Sequence, residues 1–252
     1  MNDSRPCLFT TPDLGLANRL RGLVALWAHA KKNKRLLHVL WTPSDACPYR
    51  IEDMFEPLPD TTYVQTQEPS DTYSLSSSDL GHLSHILPTY GISYAMAPLL
   101  IASLVPVASL RDRIRAIALS VPLSNAIGLH VRATDHTAYA ATIGKGTTLD
   151  IFYAVADTHP SYPLFLACDD VATVQVFRDR YGDRLHVAKE FEETPSSPVR
   201  QTDGAHAVLD LYCLALCLAF QGSNFSSFSE HVIYLRQAWS QSPSLIKKIL
   251  AP

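Results

Sequence analysis

The stretch AIGLHVRATD, residues 126–135, decides the fold class of this chain. A short apolar run ends abruptly in four polar residues: His130, Arg132, Thr134 and Asp135. A short apolar run of this kind is typical of a parallel strand buried on both faces. Because open α/β sheets bind ligands outside the carboxyl ends of their strands, the polar residues here are candidates for a ligand site.

His130 and Arg132 stand on alternate residues of this strand, so their side chains point to the same face. The guanidinium fork of arginine matches a phosphate group in geometry and charge. With Thr134 and Asp135, the cluster therefore predicts a site for a phosphorylated or nucleotide ligand. The alternative is a surface Arg–Asp pair beside a core histidine.

Apolar periodicity places further elements on both sides of this strand. The chain begins with a β-α-β pattern: a strand at 7–10, a helix at 16–34 and a strand at 36–41. Later strands are predicted at 63–65, 162–168, 185–188 and 219–222, and later helices at 94–104, 108–119, 149–156, 205–218 and 226–241. This alternation predicts an α/β fold with parallel sheets, divided near residue 110.

Composition narrows the class of protein. The formal net charge of −3 argues against a sequence-independent nucleic-acid binder, which usually has a basic surface. No apolar run has the roughly 18 residues of a membrane-spanning helix, and the N-terminus lacks the apolar core of a signal peptide. The five cysteines are scattered in apolar segments, which favours buried reduced thiols. We expect a cytoplasmic protein with no nucleic-acid partner and no transmembrane segment.

A second polar cluster follows the first strand, at Gly15, Asn18 and Arg19. Backbone N–H groups and the positive end of the helix dipole meet at such a strand-to-helix turn, and both favour anionic groups. Alternatively, Gly15 ends a turn and the arginine is solvated.

A third cluster combines Asp210, on a predicted helix, with Ser226 and Ser227 at the last strand-to-helix turn. Hydroxyl and N–H groups at a helix start suit phosphate oxygens. Serine is also a common N-cap for purely structural reasons, so both readings stay open.

Taken together, the three clusters resemble motifs of the fucosyltransferases. Residues 127–135 are similar to the G-V-H-V-R-R-T-D segment of the core α1,6-fucosyltransferases and their bacterial nodulation relatives. Asp210 followed by Phe225-Ser226-Ser227 resembles the I-L-D … F-S-S stretch of the same family. The segment from Gly15 to Asn18 looks like the Gly-x-x-Asn motif of the wider α1,2-, α1,6- and protein O-fucosyltransferase group.

This resemblance implies a GT-B-like fold, with two Rossmann-like parallel-sheet halves facing a cleft. Residues 1–110 would form the acceptor side and residues 111–252 the nucleotide-sugar side. The implied reaction is a metal-independent, inverting transfer of a sugar to a glycan or other hydroxyl acceptor. The donor is a GDP-sugar, typically GDP-fucose, and no further cofactor is implied.

The resemblance also implies roles for single residues. Arg132 would hold the β-phosphate and stabilise charge as the diphosphate leaves, while His130 and Asp210 would contact the guanine or neighbouring groups. Ser226 and Ser227 would bind the diphosphate. The predicted nucleotide-sugar-binding set also includes Gly15, Asn18 and Arg19. An inverting reaction can use a base on the acceptor hydroxyl, for which Asp135 and Asp13 are the candidates.

One departure from the family pattern bears on activity. The second arginine of the paired-arginine motif is Ala133, so Arg132 would carry the charge alone. Ala133 therefore leaves open a nucleotide-binding or scaffold protein without turnover. Two other functions also remain open: a transferase that uses a different nucleotide-sugar, and another α/β enzyme acting on phosphorylated substrates.

Overall fold

A computed structural model of the chain describes residues 6–66, 71–73, 82–133, 147–188 and 204–251. The chain divides into two compact units. Unit 1 comprises Met1–Val107 and Gln237–Lys248, and unit 2 comprises Ala108–Arg236 and Ile249–Pro252.

Unit 1 contains a four-stranded parallel sheet in the order β3-β2-β1-β4. Its strands are β1 (Cys7–Thr10), β2 (Leu37–Leu40), β3 (Thr61–Tyr63) and β4 (Asp71–Tyr73). Its helices include α1 (Leu16–Lys32), α2 (Leu83–Thr89), α3 (Ala97–Ile101) and the greater part of α9 (Ser244–Leu250), whose residues from Ile249 onward count with unit 2. Cys7, Leu8 and Phe9 are fully buried, as expected for a strand covered on both faces.

Unit 2 repeats this topology, with the strand order β7-β6-β5-β8 and every neighbouring pair parallel. Its strands are β5 (Ile127–Val131), β6 (Leu164–Cys168), β7 (Leu185–His186) and β8 (Ala219–Gly222). Its helices include α4 (Ala108–Ser120), α5 (Leu149–Thr158), α6 (Val171–Tyr181), α7 (Gly204–Leu216) and the greater part of α8 (Ser227–Gln241), whose residues from Gln237 onward count with unit 1. All five residues of β5 and of β6 are buried.

The strand order explains where ligands are expected in each sheet. In both units the first strand lies between the second and the fourth, so the winding direction reverses beside it. Such a reversal leaves an opening at the carboxyl ends of the two strands, and ligands of open α/β sheets bind there. The two openings lie beside β1 and β4 in unit 1 and beside β5 and β8 in unit 2.

The α/β class with parallel sheets is confirmed, and the structure differs from the sequence prediction in local detail. The strand expected at 63–65 forms at Thr61–Tyr63. The helix expected at 94–104 is a 3-10 turn, Tyr94–Met96, followed by α3. Pro98 lies in the first turn of α3, where its missing N–H would have no helical partner.

Candidate functional site

The carboxyl ends of β5, β6 and β8 bring three polar residues into one place in unit 2. Val131 pairs with Cys168 in the parallel register of β5 and β6, so Arg132 and Asp169 each follow the end of their strand. Ser223 follows β8, on the other side of β5. The segment singled out from the sequence therefore supplies the central strand of this cluster.

Arg132 is held by Asp169. The guanidinium Nε lies 3.2 Å from Oδ2 of Asp169, and both side chains are about one-fifth to one-quarter exposed, at 24% and 21%. The backbone N–H of Ala133 donates to Oδ1 of the same carboxylate at 2.8 Å. Asp169 thus binds the side chain of one residue and the backbone of the next, which orients the strand end and the guanidinium together.

Ser223 fixes the same strand end from the opposite side. Its Oγ accepts the backbone N–H of Arg132 at 2.9 Å and donates to the carbonyl of His130 at 3.0 Å. The backbone at Arg132 is therefore bound to the residues that follow both neighbouring strands. A guanidinium held this way has less freedom to lose when it binds an anion.

His130, two residues before Arg132, packs against the first turn of α8. Its ring is buried, Nδ1 lies 2.7 Å from Ser229 Oγ, and the ring centroid is 4.6 Å from that of Phe228. Gly222 permits this close approach, because a Cβ there would lie 2.5 Å from Ser229 Oγ. The contact to a nucleotide predicted for His130 stays a prediction.

Ser226 and Ser227 lie at the N-terminus of α8. Ser226 is buried, and its Oγ accepts the backbone N–H of Ser229 at 3.4 Å, which is N-cap geometry. The carbonyl of Ser227 lies 2.8 Å from Nδ1 of His231. Ser226 thus has the N-cap role, which was one of the two alternatives for this turn. The contact of Ser226 and Ser227 to a diphosphate stays a prediction.

Phe225, the first residue of the Phe225-Ser226-Ser227 motif, has a backbone conformation that sequence reasoning missed. It has a positive φ of 57°, although it is not glycine, and its side chain is 59% exposed. Such a conformation is strained for a bulky residue, and strain of this kind clusters at functional sites. No local pattern in the sequence marks it.

Asp210 lies inside α7, which packs against β5, β6 and α4. Its side chain is buried one turn before Cys213. Burial raises the pKa of the Cys213 thiol well above its usual value, and the charge of Asp210 adds to that effect. The contact to guanine expected for Asp210 stays a prediction.

In unit 1, the predicted cluster forms the start of α1. Gly15 is the N-cap, with extended φ and ψ of −63° and 160°, and its carbonyl accepts the N–H of Arg19 at 3.2 Å. Asn18 Oδ1 accepts a hydrogen bond from Arg21 Nη1 at 3.2 Å. The three predicted residues therefore lie together on the turn that follows β1.

Arg19 is entirely buried rather than solvated. Its guanidinium donates to the carbonyl of Leu14 at 2.7 Å, to the carbonyl of Thr42 at 2.6 Å and to Ser44 Oγ at 2.6 Å. These bonds tie the turn after β1 to the segment after β2. The geometry gives Arg19 a bracing role, and its predicted contact to the nucleotide-sugar stays a prediction.

Of the two candidate bases, only Asp13 lies within the described residues. Asp135, like Thr134, lies outside the described residues. Asp13 is exposed, and its Oδ1 accepts the Ser44 hydroxyl at 2.5 Å, so it adjoins the hydrogen bonds of Arg19. The structure describes no contact that favours one of them.

The described residues contain neither a metal-binding cluster of side chains nor a helix that could span a membrane. No group of three or more His, Cys, Asp or Glu side chains there is arranged to hold a metal ion. No helix in the same ranges combines the length and apolarity needed to cross a membrane. The five cysteines are buried thiols, as the sequence predicts.

No protein-family model and no curated protein matches the chain. Its structure is similar to that of the fucosyltransferase NodZ from Bradyrhizobium, with 16% identity, a TM-score of 0.60, and coverage of 92% of this chain and 93% of that one. NodZ α-1,6-fucosyltransferase soaked with GDP-fucose aligns at 17% identity and a TM-score of 0.59, over 92% and 93% of the two chains. POFUT1 in complex with GDP aligns at 10% identity and a TM-score of 0.61, over 93% and 95%. The chain therefore has a fucosyltransferase-like fold, with two parallel sheets that match the GT-B structures of these enzymes.

Proposed function

We propose that this chain is an inverting glycosyltransferase that transfers fucose from GDP-fucose to a glycan or other hydroxyl acceptor without a bound metal. The observation that carries the proposal is the cluster of Arg132, Asp169 and Ser223 at the winding reversal of the unit 2 sheet. The likeness to NodZ soaked with GDP-fucose supports the choice of donor.

Arg132 has the central chemical role in this proposal. When the bond between the sugar and the diphosphate breaks, negative charge grows on the leaving phosphate. A fixed guanidinium stabilises that charge more strongly in the transition state than in the ground state, and this difference accelerates the reaction. The ion pair with Asp169 supports the role, because it holds the guanidinium in place before the donor arrives.

The N-terminus of α8 would bind the rest of the diphosphate. Ser226 and Ser227 lie there, and the positive end of the helix dipole favours an anion. His130, held by Ser229, and Asp210 would contact the guanine or neighbouring groups, since a carboxylate can accept from the N1–H and N2 amino donors of that base.

The acceptor side is proposed for residues 1–110 and the donor side for residues 111–252. On the acceptor side, Gly15, Asn18 and Arg19 shape the turn after β1. Asp135 or Asp13 would accept the proton of the acceptor hydroxyl.

Thermal unfolding with and without GDP tests the donor assignment. A ligand at about 100 times its Kd adds about 2.7 kcal/mol, which corresponds to a rise in Tm of roughly 5–10 °C for a chain of this size. We expect GDP to raise Tm and Arg132→Ala to abolish the rise. Arg178→Ala, an exposed arginine on α6 of the same unit, is the matched control and should respond like the wild type.

The other outcomes separate the alternatives. A shift produced by a different nucleoside diphosphate, and not by GDP, would show a transferase that uses another donor. A GDP shift without GDP release from any GDP-sugar would favour a nucleotide-binding or scaffold protein. No shift with any nucleotide would contradict the proposal.

A further inference from the structure

A cavity of about 90 Å³ lies at the carboxyl ends of β2 and β3 in unit 1. Val39 on β2 pairs with Tyr63 on β3, and both line the cavity. Trp41 and Gln65 stand two residues further along each chain segment and line it as well. The cavity therefore lies at the carboxyl edge of the unit 1 sheet, the edge at which α/β proteins bind ligands, but beside β2 and β3 rather than at the winding reversal between β1 and β4.

Trp41 provides a fixed aromatic wall. Its side chain is buried, its Nε1–H donates to the carbonyl of Tyr49 at 2.8 Å, and the Arg19 guanidinium lies 5.4 Å from its ring centroid. These contacts hold the indole in place before any ligand binds. Aromatic walls with a few placed polar groups are typical of small-molecule sites, and the C–H face of a sugar ring packs well on an indole.

The polar lining is balanced in charge. Arg50 and Glu52 form an ion pair at 2.7 Å. Burial alone would raise the pKa of Glu52, but the hydrogen bond from Arg50 and bonds from backbone N–H groups lower it below its usual value. The carboxylate thus stays ionised near neutral pH and offsets the guanidinium, so the lining favours neither an anion nor a cation.

Tyr63 adds a neutral hydroxyl. Burial, followed by the charge of Glu52, raises the pKa of Tyr63, so the phenol keeps its proton. Its hydroxyl lies 3.5 Å from the carbonyl of Glu56, a long contact that a ligand hydroxyl can replace. With the Gln65 amide, the lining offers donors and acceptors that suit several hydroxyl groups.

We propose that this cavity binds one face of a single sugar residue of a neutral saccharide. Each water-sized group needs roughly 15 Å³, so the cavity holds roughly six such groups, which matches part of a single ring. The cavity alone supports the binding of a saccharide, whereas the role of that saccharide as the acceptor rests on the proposed function. The acceptor class would then be an uncharged glycan that presents a terminal or branch residue to unit 1.

Titration of the folded protein with neutral methyl glycosides, followed by the NMR signals of the indole N–H groups, tests this inference. The chain has three tryptophans, so three signals can be assigned by single Trp→Phe variants. Methyl glycosides of glucose, galactose, mannose, fucose and N-acetylglucosamine are the probes. We expect at least one to shift the Trp41 signal in a saturable manner and to leave the Trp27 signal unchanged.

Two variants and one control locate the binding. Glu52→Gln should weaken the binding about tenfold, because a charge-assisted hydrogen bond is lost. Gln65→Ala changes an exposed residue, so it should stay folded while weakening the binding several-fold. Asp53→Asn makes the same change of charge as Glu52→Gln at an exposed neighbour outside the lining, and should bind like the wild type.

Two results would overturn the inference: no neutral glycoside shifts the Trp41 signal, or methyl glucuronoside and inorganic phosphate bind more tightly than the neutral probes. Its failure is distinguishable from failure of the proposed function. A protein that GDP stabilises but that binds no glycoside contradicts the cavity assignment alone. A protein whose Trp41 signal responds to glycosides but that no nucleotide stabilises contradicts the transferase proposal alone.

Discussion

Asp169 binds the guanidinium of Arg132 through one carboxylate oxygen, at 3.2 Å from Nε, and the backbone N–H of Ala133 through the other, at 2.8 Å. The fucosyltransferase motif that residues 127–135 resemble has a second arginine at the position of Ala133. In this chain that position supports Arg132 through its backbone instead of through a second charge. Arg132 therefore has a partner that orients it, although it has no neighbouring arginine.

Asp169→Asn tests whether Asp169 positions Arg132 for the reaction. The amide keeps an acceptor for the Ala133 N–H but loses the charge that orients the guanidinium. We expect kcat for GDP release from GDP-fucose to fall roughly 10- to 100-fold with a small change in KM, because the lost interaction acts mainly in the transition state. Steady-state kinetics measure both constants.

Asp183→Asn, at an exposed position of the same unit, is the control and should leave kcat unchanged. If Asp169→Asn leaves kcat at the wild-type value, or changes KM alone, Asp169 does not position Arg132 for the reaction.

Arg19→Ala tests the bracing role of the buried arginine. The change leaves the carbonyls of Leu14 and Thr42 without their donor and opens space beside Trp41. We expect the free energy of unfolding to fall by about 3–5 kcal/mol, measured by urea denaturation. Arg178→Ala should change it by less than about 0.5 kcal/mol, and an equally small effect of Arg19→Ala would contradict the bracing role.

Gly222→Ala tests the close approach of α8 to β8. The new Cβ would lie 2.5 Å from Ser229 Oγ and 2.6 Å from Ser229 Cβ, so α8 has to move. We expect a loss of about 1–3 kcal/mol in the free energy of unfolding, together with weaker binding of GDP.

Gly128→Ala is the comparison for this change, because its nearest neighbours, Cys217 and Leu214, lie at 3.1 Å and can give way more easily. It should cost less than Gly222→Ala and leave GDP binding unchanged. The reverse order would show that the packing at Gly222 does not control the site.

His82 gives stability a pH dependence. It is the N-cap of α2, and its Nδ1 accepts the N–H of Ser84 at 3.2 Å, which requires an unprotonated nitrogen. Burial first, and then the charges of Arg21 and His85, lower the pKa of His82 below 6.5. Because the folded state disfavours the charged ring, this contribution is complete above 6.5 and is lost as the pH falls below it.

His82→Asn keeps a side-chain acceptor at the N-cap and removes the titration. Urea denaturation at about pH 7.5 and about pH 5.5 should therefore show a smaller loss of stability in the variant than in the wild type. An equal loss in both proteins would mean that other groups cause the acid sensitivity.

The sequence predicted the elements with strong apolar patterns and missed those without one. β6 is a continuous apolar run and β5 is apolar except for His130, and the ends of both strands lie within a few residues of the predicted ones. β4 is Asp71-Thr72-Tyr73, a short polar segment that becomes a strand through pairing with β1. Only the tertiary structure supplies that partner.

The residues of the candidate site also fall into those that a local sequence pattern marks and those that it does not. Arg132 was recognisable because it directly follows a buried strand. Its partner Asp169 lies 37 positions away and meets it through the register of β5 and β6, which no local pattern specifies. The burial of Arg19 and the positive φ of Phe225 likewise depend on neighbours distant in the sequence or on the turn as a whole.

The rate of GDP release from GDP-fucose, compared between the wild type and Arg132→Ala, decides whether Arg132 stabilises the leaving diphosphate. We expect measurable release by the wild type and a rate at least about 100-fold lower in Arg132→Ala, because that variant loses a group that stabilises transition-state charge. Arg178→Ala should match the wild type. Release by Arg132→Ala at the wild-type rate, or no release by the wild type from any nucleotide-sugar, would contradict this role of Arg132.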